Sequence, residues 1–283
     1  MKSYLECIPC FFEQALRAGR IATDDEQALK RLLDELGKKL HQISLDSTPP
    51  ETGRLIYRMV REITGNPDPY RDLKRQSTRE ALALYPSLKK TIEKSDDSLL
   101  TAIRIAIAGN VIDFGVNASF DIETSIAEAL AGDFAICDYS AFETRLAETE
   151  EILYIGDNAG ETVFDRLLIE QMKKPVIYVV REEPVINDAT IEDAIQAGID
   201  QVATIVSSGT DAPGTILHTC NSEFREMLDH SAFTISKGQG NYEALSNENY
   251  SIFFLLKAKC GIIANDLGVT QGDIVLKGIN TGI

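Results

Sequence analysis

EILYIGDNAGE, residues 151–161, joins a short β-branched apolar run to a turn made of two glycines, an aspartate and an asparagine. Ile152–Ile155 reads as a strand, and a helical stretch over 160–173 follows the turn. The same order recurs downstream. Short apolar runs at 176–180, 202–206, 233–235 and 251–256 alternate with helical stretches at 190–197 and 214–229. Strand alternating with helix implies βαβ units, and so a mostly parallel sheet buried on both faces. In such sheets ligands bind beyond the carboxyl ends of the strands. The residues after each run are therefore the first place to look for chemistry.

Upstream the period changes. In DEQALKRLLDELGKKLHQ (25–42), Leu29, Leu32, Leu33, Leu36 and Leu40 recur at spacings of three and four, as one face of a helix requires. Residues 50–64 repeat the pattern, with Pro50 near the start and Gly65 at the end. Residues 97–108 read as an apolar, buried helix, and no clear strand stands before about residue 150. The expected organisation is a helical region over 1–145 that contributes to a pocket, and an α/β domain over 146–283.

Composition narrows the function classes. The 283 residues are 44% hydrophobic and 25% charged, enough apolar surface for a sizeable core. Lys+Arg 28 against Asp+Glu 44 gives a net charge of −16, the wrong sign for sequence-independent nucleic-acid binding. No run of 18 apolar residues offers a membrane span, and the start of the chain does not read as a signal peptide. Five cysteines, an odd number, suit a reducing compartment, so a cytoplasmic setting is expected.

At the strand ends, Asp157 and Asn158 offer a carboxylate and an amide carbonyl, hard donors suited to Mg²⁺ or Mn²⁺. The alternative is that either side chain caps the next helix. Asp188, after the run at 176–180, carries the same two readings. If the two strands are neighbours, Asp157, Asn158 and Asp188 converge on one rim. The polar loop 207–214, with Ser208 and Gly209, reads either as a turn or as a phosphate cradle opening a helix. Lys237, beside Gly238 and Gly240, is a point charge for a phosphate or a solvated turn lysine. Asn110 and Asp113 interrupt an apolar stretch and need polar partners.

Cys7 and Cys10 form a CxxC pair, a candidate for a second metal or a redox role, or else two cysteines on one helix face. No strand precedes them as thioredoxin-like chemistry requires, no second CxxC follows, and Cys260 is a distant candidate third ligand. GxSxG, HExxH, GxGxxG after a strand, and the Walker order GxxxxGK[ST] are all missing.

Taken in order, CIPC, NPDPYRDLK (66–74), GNVIDFG (109–115), GDNAGE (156–161), PVINDAT (184–190), SSGTDAPG (207–214) and KGQGNYE (237–243) cover nearly the whole chain. With these segments the chain resembles the damage-control phosphatase family with the ARMT-like metal-binding domain, formerly a domain of unknown function. The CIPC pair and compact length are similar to its stand-alone archaeal and bacterial branch. The resemblance implies a three-layer α/β/α domain with an N-terminal helical bundle region. It also implies a phosphatase that uses Mn²⁺, Co²⁺, Ni²⁺ or Mg²⁺ on small phosphorylated metabolites, including sugar phosphates and damaged cofactor intermediates. By motif match, Asp157, Asn158 and Asp188 carry over as metal ligands and Lys237 as a phosphate contact. Asn110, Asp113 and Asn241 carry over as pocket residues.

The expected chemistry is metal-assisted phosphomonoester hydrolysis, with Lys237 and N–H groups near Gly209 holding phosphoryl oxygens. Water or the Asp157 carboxylate is the nucleophile, and Asp113 is the candidate acid/base. Two competing readings are an S-adenosylmethionine-dependent carboxyl methyltransferase and a non-catalytic metal- or metabolite-binding module. The expected partner is a small phosphorylated metabolite, with no nucleic acid and no membrane. The sequence sets no oligomeric state.

Overall fold

The structure, a computed structural model, describes residues 1–109 and 122–282. In chain order the elements are α1 (Cys7–Ala22), α2 (Glu26–Lys39), α3 (Pro49–Thr64), α4 (Arg71–Lys94), α5 (Ser98–Ala108), α6 (Ile122–Ala131), β1 (Ile136–Cys137), α7 (Tyr139–Glu148), β2 (Ile152–Ile155), α8 (Thr162–Met172), β3 (Val176–Val180), α9 (Ile191–Gln196), β4 (Thr204–Ser207), α10 (Ser222–His230), β5 (Thr234–Lys237), α11 (Gln239–Leu245), β6 (Ile252–Lys257), α12 (Gly261–Leu267) and β7 (Ile274–Ile279).

The strands form one sheet in the order β1-β7-β6-β5-β2-β3-β4. Every neighbouring pair is parallel except β6 and β7. β2 and β3 lie where their apolar runs put them. β1 corrects the expectation of no strand before about residue 150. It is two residues long, and its pairing with β7 makes it a strand. β7 also escapes the sequence reading, because Lys277 and Gly278 interrupt its apolar run. The helix expected from residue 214 starts at Ser222, where the Asn221 side chain accepts from Phe224 N at 2.8 Å. Pro213 and Gly214 precede it in irregular backbone.

Side chains alternate across the sheet, as the period of two requires. Tyr154, Tyr178, Ile235, Phe253 and Leu276 pack with α4, α5, α7 and α8 on one face. Leu153, Ile155, Val179, Phe254 and Val275 pack with α10, α11 and α12 on the other. This is an α/β/α sandwich with a mostly parallel sheet. A separate cluster unites α1, α2 and α3 and reaches Val185 in the connection after β3. Among the described residues no helix is long and apolar enough to cross a membrane.

Polar contacts clamp these three helices over the carboxyl ends of the strands. α3 starts at a Thr48–Glu51 capping box with prolines at its first positions, and it ends at Gly65 with φ of 70°. Arg54, Arg58 and Arg61, spaced along one face of α3, converge on Asp211 in the loop after β4, at 2.5, 2.5 and 3.4 Å. Burial alone would raise the Asp211 carboxyl, but hydrogen bonds from Arg58 and Arg54 hold it below its usual range. Within the 66–74 motif, Lys74 is buried and pairs with Asp193 at 2.8 Å and Asp68 at 3.5 Å, tying α4 to the start of α9.

Candidate active site

The chain runs from β2 through β3 to β4 at one edge, then returns to the other side of β2 to make β5 and β6. That reversal opens a crevice between β2 and β5 beyond their carboxyl ends. Asp157 lies two residues past β2, and Gly238 directly follows β5. Gly238 has φ of 81°, and a Cβ there would stand 1.9 Å from Oδ2 of Asp157. Only glycine lets the Asp157 carboxylate lie against that turn.

Backbone pairing brings the expected donors together. Ala189 N donates to Asp157 O at 2.8 Å, and Ala159 N donates to Asn187 O at 2.8 Å. Asn158 and Asp188 thus face each other across an isolated bridge. Ile186, in the same connection, holds φ of 40°, a left-handed conformation that a β-branched residue adopts only under constraint. The capping alternatives are not realised here. α8 has Glu161 at its N-cap position with no side-chain cap, and α9 is capped by the Thr190–Asp193 box. Asp157, Asn158 and Asp188 instead line one pocket of about 260 Å³.

The floor of this pocket is strongly charged and buried. Burial, then the neighbouring Asp188, pushes the Asp157 carboxyl up to about 6. Burial raises Asp188 as well, outweighing Arg181, which donates from Nε to Oδ2 at 2.8 Å. Two buried carboxylates side by side repel each other, and a bound cation would relieve that repulsion. Among the described residues no three His, Cys, Asp or Glu side chains gather closely enough to hold a metal. An ion here would take two carboxylates, the Asn158 amide oxygen and water. That donor set fits a hard divalent cation.

The other expected residues are placed differently. Lys237 is not on the pocket wall. It is fully buried beneath it, and its ammonium donates to Ala106 O at 2.7 Å, Asp165 at 2.7 Å and Glu161 at 3.3 Å. Ser208 is buried with its hydroxyl on Val180 O, and Gly209 N donates to Ser207 Oγ at 3.0 Å. Of that loop, Pro213 reaches the pocket. Asn241 is a brace: its amide donates to Gly156 O and Lys237 O and accepts from Arg181 and Thr215. Asn110 and Asp113 lie outside the described residues. Cys7 and Cys10, at the start of α1, line the pocket together with Cys260. The distant third cysteine is thus a neighbour, and burial raises the Cys7 thiol.

Several residues that sequence reasoning passed over stand at this site. Lys259 follows β6 and lines the pocket beside Cys260, and Gln239 and Glu243 of α11 and Arg17 of α1 line it too. Burial pushes the Glu243 carboxyl up to about 7. Lys259 is exposed, and among the described residues its ammonium has no hydrogen-bond or ion-pair partner. Glu161 is buried below Asn158, and burial, outweighing Lys237, pushes its carboxyl up to about 7. The strand-end rule applied to Lys257-Ala258-Lys259-Cys260 would have found Lys259. Arg17 is brought in only by the packing of α1.

Comparison with known proteins places the chain. The damage-control phosphatase ARMT1-like domain matches residues 3–275. The chain is 36% identical over 282 residues to damage-control phosphatase PH1575 of Pyrococcus horikoshii, covering 97% of each chain. It is 34% identical over 280 residues to a damage-control phosphatase of Archaeoglobus fulgidus, covering 96% of this chain and 97% of that one. An uncharacterized protein of Methanocaldococcus jannaschii, MJ0202, is 36% identical over 284 residues, 96% of this chain and 93% of its own. The crystal structure of the DUF89 family protein PH1575 matches with a TM-score of 0.90 at 35% identity, covering 98% of this chain and 99% of that chain. With its model matched over almost the whole length and its relatives aligned from end to end, the chain belongs to the damage-control phosphatase ARMT1-like family.

Proposed function

We propose that this protein is a divalent-metal-dependent phosphomonoester hydrolase acting on small phosphorylated metabolites, sugar phosphates or damaged cofactor intermediates. The observation that carries this reading is the pair of buried carboxylates, Asp157 and Asp188, set beside the Asn158 amide at the base of a small pocket. A pocket of about 260 Å³ suits a metabolite rather than a polymer. Asp157, Asn158 and Asp188 would hold the metal, one of Mn²⁺, Co²⁺, Ni²⁺ or Mg²⁺. When bound, the metal would polarise the phosphoryl group and neutralise charge developing on it. Arg181 fixes the Asp188 carboxylate, and Gly238 leaves room for that of Asp157. Lys259, an exposed cation on the pocket lining, would meet phosphoryl oxygens in place of the enclosed Lys237. The five cysteines are all free thiols, which supports a reducing, cytoplasmic setting.

The test is a phosphatase assay on metal-stripped protein supplied with each ion in turn, against p-nitrophenyl phosphate and a panel of sugar phosphates. Hydrolysis is expected to return with a divalent metal and to be abolished by EDTA. Folded protein that hydrolyses nothing with any of the four ions would sink the proposal. Methyl transfer from S-adenosylmethionine in the presence of EDTA would point to the methyltransferase instead. In the same assay Lys259→Met is expected to weaken kcat/KM by about 10–100-fold, mostly through KM, since a charge-assisted contact to phosphate is lost. An unchanged KM would remove Lys259 from the phosphate subsite.

A further inference from the structure

Under Asn158 lies a chain of buried polar contacts that leads away from the pocket. Asn158 Nδ2 donates to Asp157 Oδ2 at 3.1 Å and, by a shorter contact, to Glu161 Oε1. The other oxygen of Glu161 accepts from Lys237 Nζ at 3.3 Å. Lys237 is in turn fixed by Ala106 O and by Asp165, which also accepts from the hydroxyls of Tyr154 and Tyr178 at 2.8 and 2.7 Å. Glu161 is 1% exposed, and Asp165 and Lys237 are fully enclosed.

This geometry bears on which end of the Asn158 amide meets the pocket. An amide has one end that donates and one that accepts, and only the oxygen can ligate a cation. With Nδ2 facing two carboxylate oxygens, a flipped amide would set its oxygen against both of them. We propose that Glu161, braced by Lys237, is a positioning residue that fixes the Asn158 amide with its carbonyl oxygen available to a divalent cation. This rests on the metal-dependent reading given above. It assigns Lys237 to the support of the ligand rather than to the phosphate. Partners behind ligating side chains typically change metal affinity by about 10–100-fold when removed.

Glu161→Gln tests this, because it keeps the shape and replaces one oxygen with a donor, so that Asn158 and Lys237 can no longer both donate to it. The probe is Mn²⁺ titrated calorimetrically into metal-stripped protein, with no turnover required. Glu161→Gln is expected to weaken Mn²⁺ binding by about tenfold. In an Asn158→Asp background, where both side-chain oxygens can ligate and no amide needs orienting, the same change is expected to cost nothing. An equal loss in both backgrounds would reduce Glu161 to a general structural role and overturn the inference. Wild-type-like Mn²⁺ affinity in Glu161→Gln would overturn it too, while leaving the metal reading standing. Failure of the wild-type chain to bind Mn²⁺ would overturn both.

Discussion

Asp157→Asn is expected to lower kcat/KM for p-nitrophenyl phosphate by about 10³-fold or more in metal-supplemented protein, with the fold intact. The carboxylate lies at the topological reversal of the sheet, against Gly238 and opposite Asp188, so no neighbouring side chain can take its place. An amide of the same shape keeps the packing and removes one of two adjacent buried like charges. The metal-free variant should therefore melt no lower than wild-type protein at neutral pH. Thermal melting by circular dichroism, run beside the kinetic assay, separates loss of chemistry from loss of fold. Full activity in a folded Asp157→Asn protein would remove the core of the functional reading.

Lys237→Met should act mainly on stability. Its ammonium stands between two buried carboxylates, Asp165 at 2.7 Å and Glu161 at 3.3 Å. Burial alone would lower the pKa of this lysine, yet Asp165 and Glu161 together hold it above its ordinary value. Removing one member of such a cluster leaves uncompensated buried charge, at a cost of about 3–5 kcal/mol. In a chain of this size that is a fall in Tm of roughly 10 °C. A phosphate-binding lysine would behave otherwise, raising KM with little change in melting. Unchanged Tm with raised KM would therefore return Lys237 to the phosphate and remove it from beneath Glu161.

Local sequence is enough to set the class of fold and the rim on which the candidate site lies. Apolar β-branched runs at 152–155 and 176–180 have the length and composition of strands buried on both faces, and their pattern depends on local residues alone. Because parallel strands all end on one side, the polar residues after them stand out as a group. Asp157, Asn158 and Asp188 do line one pocket. The remainder depends on contacts between residues far apart in the chain. β1 becomes a strand through a partner 139 residues away: Cys137 pairs with Leu276 and Ile136 with Val275. Lys237 ends β5 and Lys259 stands two residues past the adjacent β6, so both read in the sequence as strand-end lysines. One points from β5 into the layer beneath, where Asp165 and Glu161 enclose it. The other follows β6 into a loop at the pocket rim. Which way a strand-end lysine faces depends on register and on the acids that neighbouring helices present, and neither is written in the local sequence. The same holds for Arg17 and for Cys7, Cys10 and Cys260, which share a pocket because α1 packs over the strand ends.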